Sequence, residues 1–303
     1  MTYDISIIIV NYNTKKLLKN CLESIFKYTK QVNHEVIVVD NASSDDSIKM
    51  VNKDYPKVKL IKNKDNLGFA KANNLGIRES KGKYIVLLNS DTELKSNIFK
   101  NMYEWMENNK SIGVSTCKLI YPDGRVQSAG GYLPNLLRVA SWMLFQDIPF
   151  VDRLIKPFQP HKELSPMKND EIYKKSNNLE WLAGTCFIIR RKVIDDVGYL
   201  DEDYFMYTED VDYCYRVNEF GWDIGYNPKY ELIHHKGASG SSEFSVRQEF
   251  KGIKIFFKKH YPAWQYPILR LILKAGALER MILFRLIGST DRVKIYEKTL
   301  KTI

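Results

Sequence analysis

Residues 5–13 read ISIIIVNYN, a run of mostly branched apolar residues that ends at three polar ones. A run of this kind is typical of a β-strand that is buried on both faces. Similar runs recur at Glu35–Val39, Val58–Lys62 and Tyr84–Leu88, and the stretches between them carry apolar residues at helical spacing. This alternation predicts an α/β fold with a mostly parallel, Rossmann-like sheet and helices on both faces.

Polar residues at the strand ends indicate where a ligand binds. Asn11 follows the first strand, Asp40 the second and Asp91 the fourth. The carboxyl ends of parallel strands meet at one edge of a sheet, where ligands bind, so we expect one shared crevice. Asp40 is a candidate acceptor for a nucleotide base or ribose, and Asp91 is a candidate ligand for Mg²⁺ or Mn²⁺. Capping of the following turn is the competing explanation for both carboxylates.

Two later segments also carry candidate chemistry. Glu209, Asp210 and Asp212 place three carboxylates in one helical turn. Acids in a first turn interact well with the helix dipole, but three together repel, and one with an elevated pKa would serve as a general base. His234 and His235 end a strand-like segment before a Gly/Ser loop. In an extended chain they point to opposite sides, so one is a candidate metal or phosphate ligand and the other is structural.

The charge of the chain is unevenly distributed. Its 303 residues carry 46 basic and 36 acidic side chains, a net charge of +10, and residues 244–303 hold 13 of the basic and 4 of the acidic ones. The first 243 residues are therefore close to neutral. A nucleic-acid enzyme would carry basic charge around its cleft, so nucleic acid is not expected as a partner.

Other features bear on the compartment. Four well-separated cysteines without a CxxC pair argue against a cysteine-based zinc site or a disulfide scaffold and fit a reducing cytoplasm. Met1–Asp4 leads straight into a strand, so no secretory signal is expected. No run of about 18 uncharged apolar residues predicts a transmembrane helix. We therefore expect a cytoplasmic protein.

The C-terminal 244–303 segment is predicted to be a basic amphipathic helical tail, after a catalytic domain of residues 1–243 with an insertion or acceptor loop at about 130–178. Within 268–288 two explanations stay open, an ordinary helix packed on the domain or an interfacial helix on anionic lipid at the inner face of the membrane. At helical spacing the basic side carries Arg270, Lys274, Arg285 and Arg292, and the opposite side carries Leu271, Ile272, Ile282, Leu283 and Leu286, with Glu279 intruding.

Seven short motifs, taken in order, resemble those of glycosyltransferase family 2, and the subgroup they look most like is the rhamnosyltransferase-like enzymes of surface polysaccharide assembly. The likeness covers about residues 3–240. Each motif is weak alone, but seven in sequence are specific. They are Val10-Asn11-Tyr12-Asn13, Val39-Asp40-Asn41-Ala42-Ser43, Asn66-Leu67-Gly68-Phe69-Ala70, Leu87-Leu88-Asn89-Ser90-Asp91, Trp181-Leu182-Ala183-Gly184, Glu209-Asp210-Val211-Asp212 and His234-x-x-Gly237-x-Ser239.

The resemblance implies a GT-A fold and an inverting transfer from a nucleotide-diphosphate sugar to a hydroxyl of a glycan or lipid-linked acceptor. It also implies a divalent cation, Mg²⁺ or Mn²⁺. By motif position, Asp210 would be the catalytic base with Glu209 beside it, and Asp91 and His234 would hold the metal. The nucleotide sugar would lie against Asn11, Tyr12, Asp40, Asn66, Asn89, Ser90 and Asp91, and the acceptor side would be shaped by Trp181, Gly184 and Asp212.

Two departures from the family pattern carry expectations of their own. Asn89 stands where the metal motif begins with Asp, so lower metal affinity is expected, and Asn73 stands where many members have Arg. Two alternative functions stay open. A nucleotidyltransferase would release pyrophosphate, although residues 11–18 contain no glycine for the loop it needs. A non-catalytic glycan-assembly subunit would bind nucleotide without turnover.

Overall fold

The structure, a computed structural model, describes residues 2–145, 154–156, 158–160, 170–173, 175, 179–235 and 242–303. Its strands are β1 Tyr3–Asn11, β2 His34–Asp40, β3 Lys59–Lys62, β4 Gly82–Asn89, β5 Thr92–Leu94, β6 Ile112–Ile120, β7 Gly130–Gly131, β8 Trp181–Leu182, β9 Cys186–Arg190 and β10 Asp223–His234. Its α-helices are α1 Lys15–Tyr28, α2 Ser47–Asp54, α3 Phe69–Glu79, α4 Ile98–Asn108, α5 Leu136–Leu144, α6 Arg191–Val197, α7 Glu209–Glu219, α8 Ser242–His260, α9 Gln265–Leu286 and α10 Thr290–Leu300, and a short 3₁₀ turn spans Asp170–Tyr173.

Eight strands form one sheet in the order β3-β2-β1-β4-β9-β6-β10-β5. The first four are parallel, as predicted, and β6 is parallel to β10. β9 runs antiparallel between β4 and β6, and β5 pairs antiparallel with β10. The register sets Asn11 beside Asp40 and Val10 beside Asn89. The polar ends of β1, β2 and β4 therefore lie next to one another at one edge of the sheet.

Both faces of this sheet are covered. Ile7, Ile8 and Ile9 are consecutive in β1 and none is exposed. Successive side chains of a strand point to opposite faces, so helices and loops cover both of them. The continuous apolar pattern of residues 5–10 follows from this double burial.

The chain from Trp181 to Arg190 forms two strands separated by a turn. Ala183 N–H donates to the Ala129 carbonyl, which holds β8 in a small second sheet with β7. Asn89 N–H then donates to the carbonyl of Thr185, which returns the chain to the main sheet. The turn places Gly184 outside both strands, at the end of β4.

The C-terminal segment does not form a separate core. Phe250, Ile253, Phe256 and Phe257 of α8 are buried in the same apolar cluster as the sheet. The inner face of α9 joins it through Leu269, Leu273 and Ala277, and α9 packs on α5 and α10. The predicted boundary at residue 243 therefore marks a change in charge and not a break in packing.

Of the predicted insertion at 130–178, α5 and a few shorter pieces are described. Val139 and Met143 of α5 join the main core. Residues 146–153, 157, 161–169, 174 and 176–178 lie outside the described residues, so the predicted loop there is not tested. No helix in the described part of the chain is long and apolar enough to cross a membrane.

Candidate active site

The ends of β1, β2 and β4 are tied together by a buried hydrogen-bond network. The Asn11 amide donates to the Asp40 carboxylate over 2.8 Å and accepts from the Thr14 hydroxyl over 2.7 Å. Thr14 in turn lies 2.9 Å from the hydroxyl of Ser90. The second oxygen of Asp40 accepts from the backbone N–H of Ser43. These bonds fix the loops after three strands and form the floor of a polar crevice, as the strand ends predicted.

The other predicted nucleotide-binding residues lie around this floor. Tyr12 leaves 47% of its side chain exposed, so its ring is free to stack on a planar ligand. Asn66 is exposed, and its side-chain oxygen accepts from Gly68 N–H over 3.0 Å. Asn89 is partly exposed at the end of β4. Asn73, which replaces the arginine of many relatives, is buried and donates to the Phe69 carbonyl, so it supports α3 from within.

Asp91 and His234 face each other across the sheet. The pairing of β5 with the end of β10 brings His234 Nε2 to 3.4 Å from Asp91 Oδ1, and both side chains are buried. A third residue, Gln127, fixes the ring of His234. Its amide nitrogen donates to the His234 carbonyl over 2.7 Å, so its oxygen faces the ring Nδ1 at 2.8 Å. Nδ1 is therefore the ring nitrogen that donates to Gln127, and Nε2 is the nitrogen directed at Asp91.

This donor set fits a divalent cation. The Asp91 Oδ1 and the His234 Nε2 lie 3.4 Å apart, close enough for one cation to bind both. Among the described residues no group of three or more His, Cys, Asp or Glu side chains gathers around one point. The remaining ligands would therefore come from a diphosphate and water, as is usual for Mg²⁺ with nucleotides. His235 instead contacts Glu93 over 2.9 Å, so the two histidines have different partners.

Helix α7 begins with the acidic motif, and Asp210 faces the turn that contains Gly184. The Gly184 N–H donates to Asp210 Oδ2 over 2.9 Å, and the Val211 N–H donates to Oδ1 over 2.9 Å. Burial raises the pKa of Asp210 to about 6, although these two hydrogen bonds oppose the rise. A carboxylate with this pKa is ionised at neutral pH and is basic enough to accept a proton.

Glu209 is buried beside Asp210. Its Oε2 is one of two buried side-chain oxygens without a hydrogen-bond partner among the described residues. Burial and the nearby charge of Asp210 raise the pKa of Glu209 well above its usual range. The raised pKa of Glu209 favours its protonated form beside the Asp210 carboxylate.

Asp210 and the Asp91–His234 pair border the same crevice. Gly184 N–H donates to Asp210, and the carbonyl of Thr185, in the same turn, accepts from the N–H of Asn89 at the end of β4. The pKa of Tyr207 is also affected by charges from both sides of the crevice. Burial is the largest cause of its raised pKa, and the charges of Glu209 and Asp91 both add to it. The strand ends and α7 thus enclose one site.

Two of the predicted acceptor-side residues are turned into the protein. Asp212 is fully buried and accepts from His260 over 2.7 Å and from Arg216 over 2.9 Å. Two residues rotate a helix by about 200°, so Asp212 lies on the side of α7 opposite Asp210. Trp181 is also buried, and its indole N–H donates to the Phe158 carbonyl over 3.0 Å. Of the three residues, only Gly184 lies at the crevice.

Sequence reasoning missed three residues that organise the site: Thr14, Gln127 and His260. Each acts through a partner from a distant part of the chain. Gln127 lies 107 residues from His234, and His260 lies 48 residues from Asp212. No local pattern marks such residues, because their function depends on strand order and helix packing.

The matches to known proteins agree with this site. The family described as Glycosyl transferase family 2 matches residues 6–198. The chain is 26% identical over 290 residues to the N-acetylglucosaminyl-diphospho-decaprenol L-rhamnosyltransferase of Mycobacterium tuberculosis, covering 91% of each. It is 27% identical over 294 residues to the low-salt glycan biosynthesis hexosyltransferase Agl10 of Haloferax volcanii, covering 93% of this chain and 86% of the relative.

A solved structure supports the fold. The mannosyltransferase PcManGT from Pyrobaculum calidifontis, in complex with GDP-Man and Mn²⁺, matches with a TM-score of 0.58 and 14% identity over all of this chain and 75% of that one. This likeness confirms the predicted GT-A fold. The last of the seven motifs includes Gly237 and Ser239, which lie outside the described residues. The family match runs from β1 through α6 and includes the polar strand ends. This chain therefore belongs to glycosyl transferase family 2.

Proposed function

We propose that this glycosyltransferase moves a sugar, with inversion, from a nucleotide-diphosphate donor to a hydroxyl of a lipid-linked glycan acceptor in surface polysaccharide synthesis. The observation that carries the proposal is Asp210, a partly buried carboxylate with a pKa of about 6 beside the strand-end crevice. It has the basicity and the position that a general base needs. The polar floor beneath it suits a nucleotide.

The nucleotide end of the donor is assigned to the network of Asn11, Asp40 and Ser90, with Tyr12 available to stack on the base. Asp91 and the Nε2 lone pair of His234 would hold Mg²⁺ or Mn²⁺. When bound, the cation would offset the charge of the nucleoside diphosphate leaving group. The mannosyltransferase PcManGT, whose structure contains GDP-Man and Mn²⁺, supports this assignment by its fold.

The reaction that follows is a single displacement. Asp210 takes the proton from the acceptor hydroxyl as its oxygen forms a bond to the anomeric carbon. The bond from that carbon to the diphosphate oxygen breaks, and the nucleoside diphosphate leaves with the electron pair. The attack comes from the face opposite the leaving group, so the anomeric centre is inverted. Gly184 N–H, by donating to Oδ2, holds the carboxylate in place.

Rhamnose is the sugar we propose, because the relative that matches 91% of the chain is an L-rhamnosyltransferase. The name of that relative also includes a diphospho-decaprenol acceptor, which supports a lipid-linked acceptor here. The four cysteines of this chain are all buried and free. Free thiols are consistent with the reducing cytoplasm, which borders the inner face of the cell membrane and supplies nucleotide sugars.

The decisive experiment is a panel of nucleotide sugars incubated with purified protein, Mg²⁺ or Mn²⁺ and a lipid-diphosphate-linked sugar acceptor. Release of nucleoside diphosphate and a new sugar on the lipid are expected. Asp210→Asn should abolish both. Glu219→Gln, which removes a carboxylate at the far end of the same helix, should leave both unchanged. Release of pyrophosphate would favour a nucleotidyltransferase, and binding without release would favour a non-catalytic subunit.

We also propose that α9 docks the enzyme on an anionic membrane surface. Its inner face packs in the core, whereas its outer face leaves large apolar side chains exposed, among them Leu271 at 68% and Leu286 at 80%. Arg270, Lys274 and Arg285 flank this stripe and are exposed. One face packs on the domain, as the first explanation predicts, and the other face is the one that we propose contacts lipid. The stripe consists of Trp264, Ile268, Leu271, Leu278, Ile282, Leu283, Leu286 and Ile287.

Vesicle co-sedimentation tests the docking. The protein should bind phosphatidylglycerol vesicles, bind less in high salt, and bind phosphatidylcholine vesicles weakly. Leu271→Glu combined with Leu286→Glu should reduce binding at least about tenfold, because each leucine that becomes buried in the lipid contributes about 2 kcal/mol to binding. Phe220→Glu, at an exposed apolar position at the end of α7, is the matched control. Equal vesicle binding by the double variant and the Phe220→Glu control would contradict the proposal. So would a double variant that keeps vesicle binding but no longer forms a dimer.

A further inference from the structure

Helix α8 lies beside the loop and helix that carry Asp210. Near its start, the ring of Phe244 meets the ring of Phe205 edge-on, with centroids 6.0 Å apart. The next residue, Ser245, shares a hydrogen bond of 2.9 Å with the hydroxyl of Tyr207. These contacts reach the loop from which α7 begins, so α8 supports the acidic motif from outside the sheet.

That loop is strained immediately before the motif. Tyr207 and Thr208 have φ values of 67° and 74°, in the left-handed region that favours glycine. Two consecutive non-glycine residues in this region persist only where the surrounding structure holds them. Something must therefore hold residues 207 and 208, and their conformation sets where α7 starts.

Gly252 of α8 is one of the residues that hold them. A Cβ at this position would lie 2.3 Å from Thr208 Oγ1 and 2.9 Å from the carbonyl oxygen of Tyr207. Such distances are too short for any side chain, so only glycine lets α8 lie this close to the strained pair. Since Gly252 is in a helix, where glycine is otherwise unfavourable, the close approach explains the residue.

The other end of α8 fixes the rotation of α7. His260 Nε2 donates to Asp212 Oδ1 over 2.7 Å, and the His260 ring lies 4.4 Å from the ring of Tyr215. Arg216 donates to the second oxygen of Asp212. Asp212 follows Asp210 by two residues on the opposite side of the helix. A rotation of α7 that moved Asp210 away from the crevice would break the bond from His260, whereas Arg216 belongs to α7 and would move with Asp212.

We propose that α8 positions the catalytic base, with Gly252 holding the strained loop and His260 holding the rotation of α7. This proposal rests on the proposed function of Asp210. Gly252 and His260 are positioning residues, because they act through residues 207–212. The C-terminal segment would then be part of the catalytic unit as well as a membrane anchor, and its removal would disable the base.

Gly252→Ala tests the first contact, with Gly276→Ala as its matched control. Gly276 is also a helical glycine of the C-terminal segment, and its Cβ would meet Met143 of α5 at 2.5 Å, away from α7. Gly252→Ala should lower kcat at least about tenfold with the KM for the donor within about twofold. Gly276→Ala should keep kcat, whatever its effect on melting temperature. Equal kcat in the two variants would overturn the proposal.

Rescue and hydrogen exchange separate positioning from general stability. Gly252→Ala with Thr208→Gly removes the contacts with the Thr208 side chain and suits the left-handed backbone, so kcat should recover in part, since the Tyr207 carbonyl oxygen at 2.9 Å remains. His260→Gln keeps a donor for Asp212 and should retain most activity, whereas His260→Ala should not. Amide exchange of residues 205–212 should accelerate in the Gly252→Ala and His260→Ala variants, and unchanged exchange would refute the proposal. A wild-type chain without transfer would refute the proposed function only, because exchange is measured without substrate.

Discussion

Asp210→Asn is expected to stabilise the folded chain at pH 7 while it abolishes sugar transfer. Burial raises the pKa of Asp210 from 3.8 to about 6. Each pKa unit corresponds to about 1.4 kcal/mol, so the ionised carboxylate lowers the free energy of unfolding by up to about 3 kcal/mol at pH 7. Asp210 keeps some exposure to solvent, which screens its charge. We therefore expect a gain of about 2 kcal/mol in the variant.

The pH dependence of this gain has a defined sign. As pH rises from about 4 to about 6, the unfolded chain loses the Asp210 proton before the folded chain does, so the wild type loses stability across this window. Asparagine does not titrate, so the gain of the variant shrinks toward zero near pH 4. Glu209 adds to the gain at pH 7, because the charge of Asp210 is one cause of its raised pKa.

Urea unfolding at pH 7 and at pH 4.5, in EDTA, measures the effect. Asp212→Asn is the control with the opposite sign. Hydrogen bonds from His260 and Arg216 hold the pKa of Asp212 below its usual value even though burial raises it. Removal of this charge leaves its partners unpaired and should cost about 3 kcal/mol. A lower urea midpoint for Asp210→Asn at pH 7, or an equal gain at both pH values, would refute burial of the charge as the cause.

Three further predictions concern the site. Gln127→Leu frees the His234 ring and should weaken Mn²⁺ binding about 10- to 100-fold, which Mn²⁺ titration followed by electron paramagnetic resonance would detect; unchanged affinity would remove Gln127 from the site. The value of kcat should fall about tenfold per pH unit below pH 6, as the base becomes protonated, and a pH-rate profile that is flat to pH 5 would assign the base elsewhere. Gly68→Ala places a Cβ 2.3 Å from the carbonyl oxygen of Phe205 at φ 81°, so it should lower the free energy of unfolding in urea by at least about 2 kcal/mol. Gly124→Ala, at φ 84° in open space, should lower it by about 1 kcal/mol. Equal losses would show that the close contact does not matter.

The sheet and its strand-end residues were predictable because they depend on local patterns. The continuous apolar run of β1 requires burial on both faces, and parallel strands bring Asn11, Asp40 and Asp91 to one edge without further information. The opposite directions of His234 and His235 follow from the alternation of side chains in a strand. Each inference uses a period or a topology rule that holds wherever the strand lies in the protein.

The acceptor side was less predictable. Asp212 and Asp210 are chemically alike and two residues apart, and the sequence alone does not say which carboxylate faces the crevice. The packing of α8 decides it, because His260 binds one side of α7 and leaves the other to Gly184. Trp181 was assigned to the acceptor side by motif position, yet its indole is buried beneath Phe158.

The sequence by itself determined the fold class, the strand ends that meet at one edge of the sheet, and the family. Those properties follow from local periodicity and from motif order. Only the tertiary structure decided which of Asp210 and Asp212 faces Gly184, which nitrogen of His234 is directed at Asp91, and that the basic C-terminal segment packs in the main core. Those properties depend on contacts between residues far apart in the chain, such as Gln127 with His234 and Gly252 with Thr208. Hydrogen bonds and burial act over a few ångströms in space, whatever the separation in sequence.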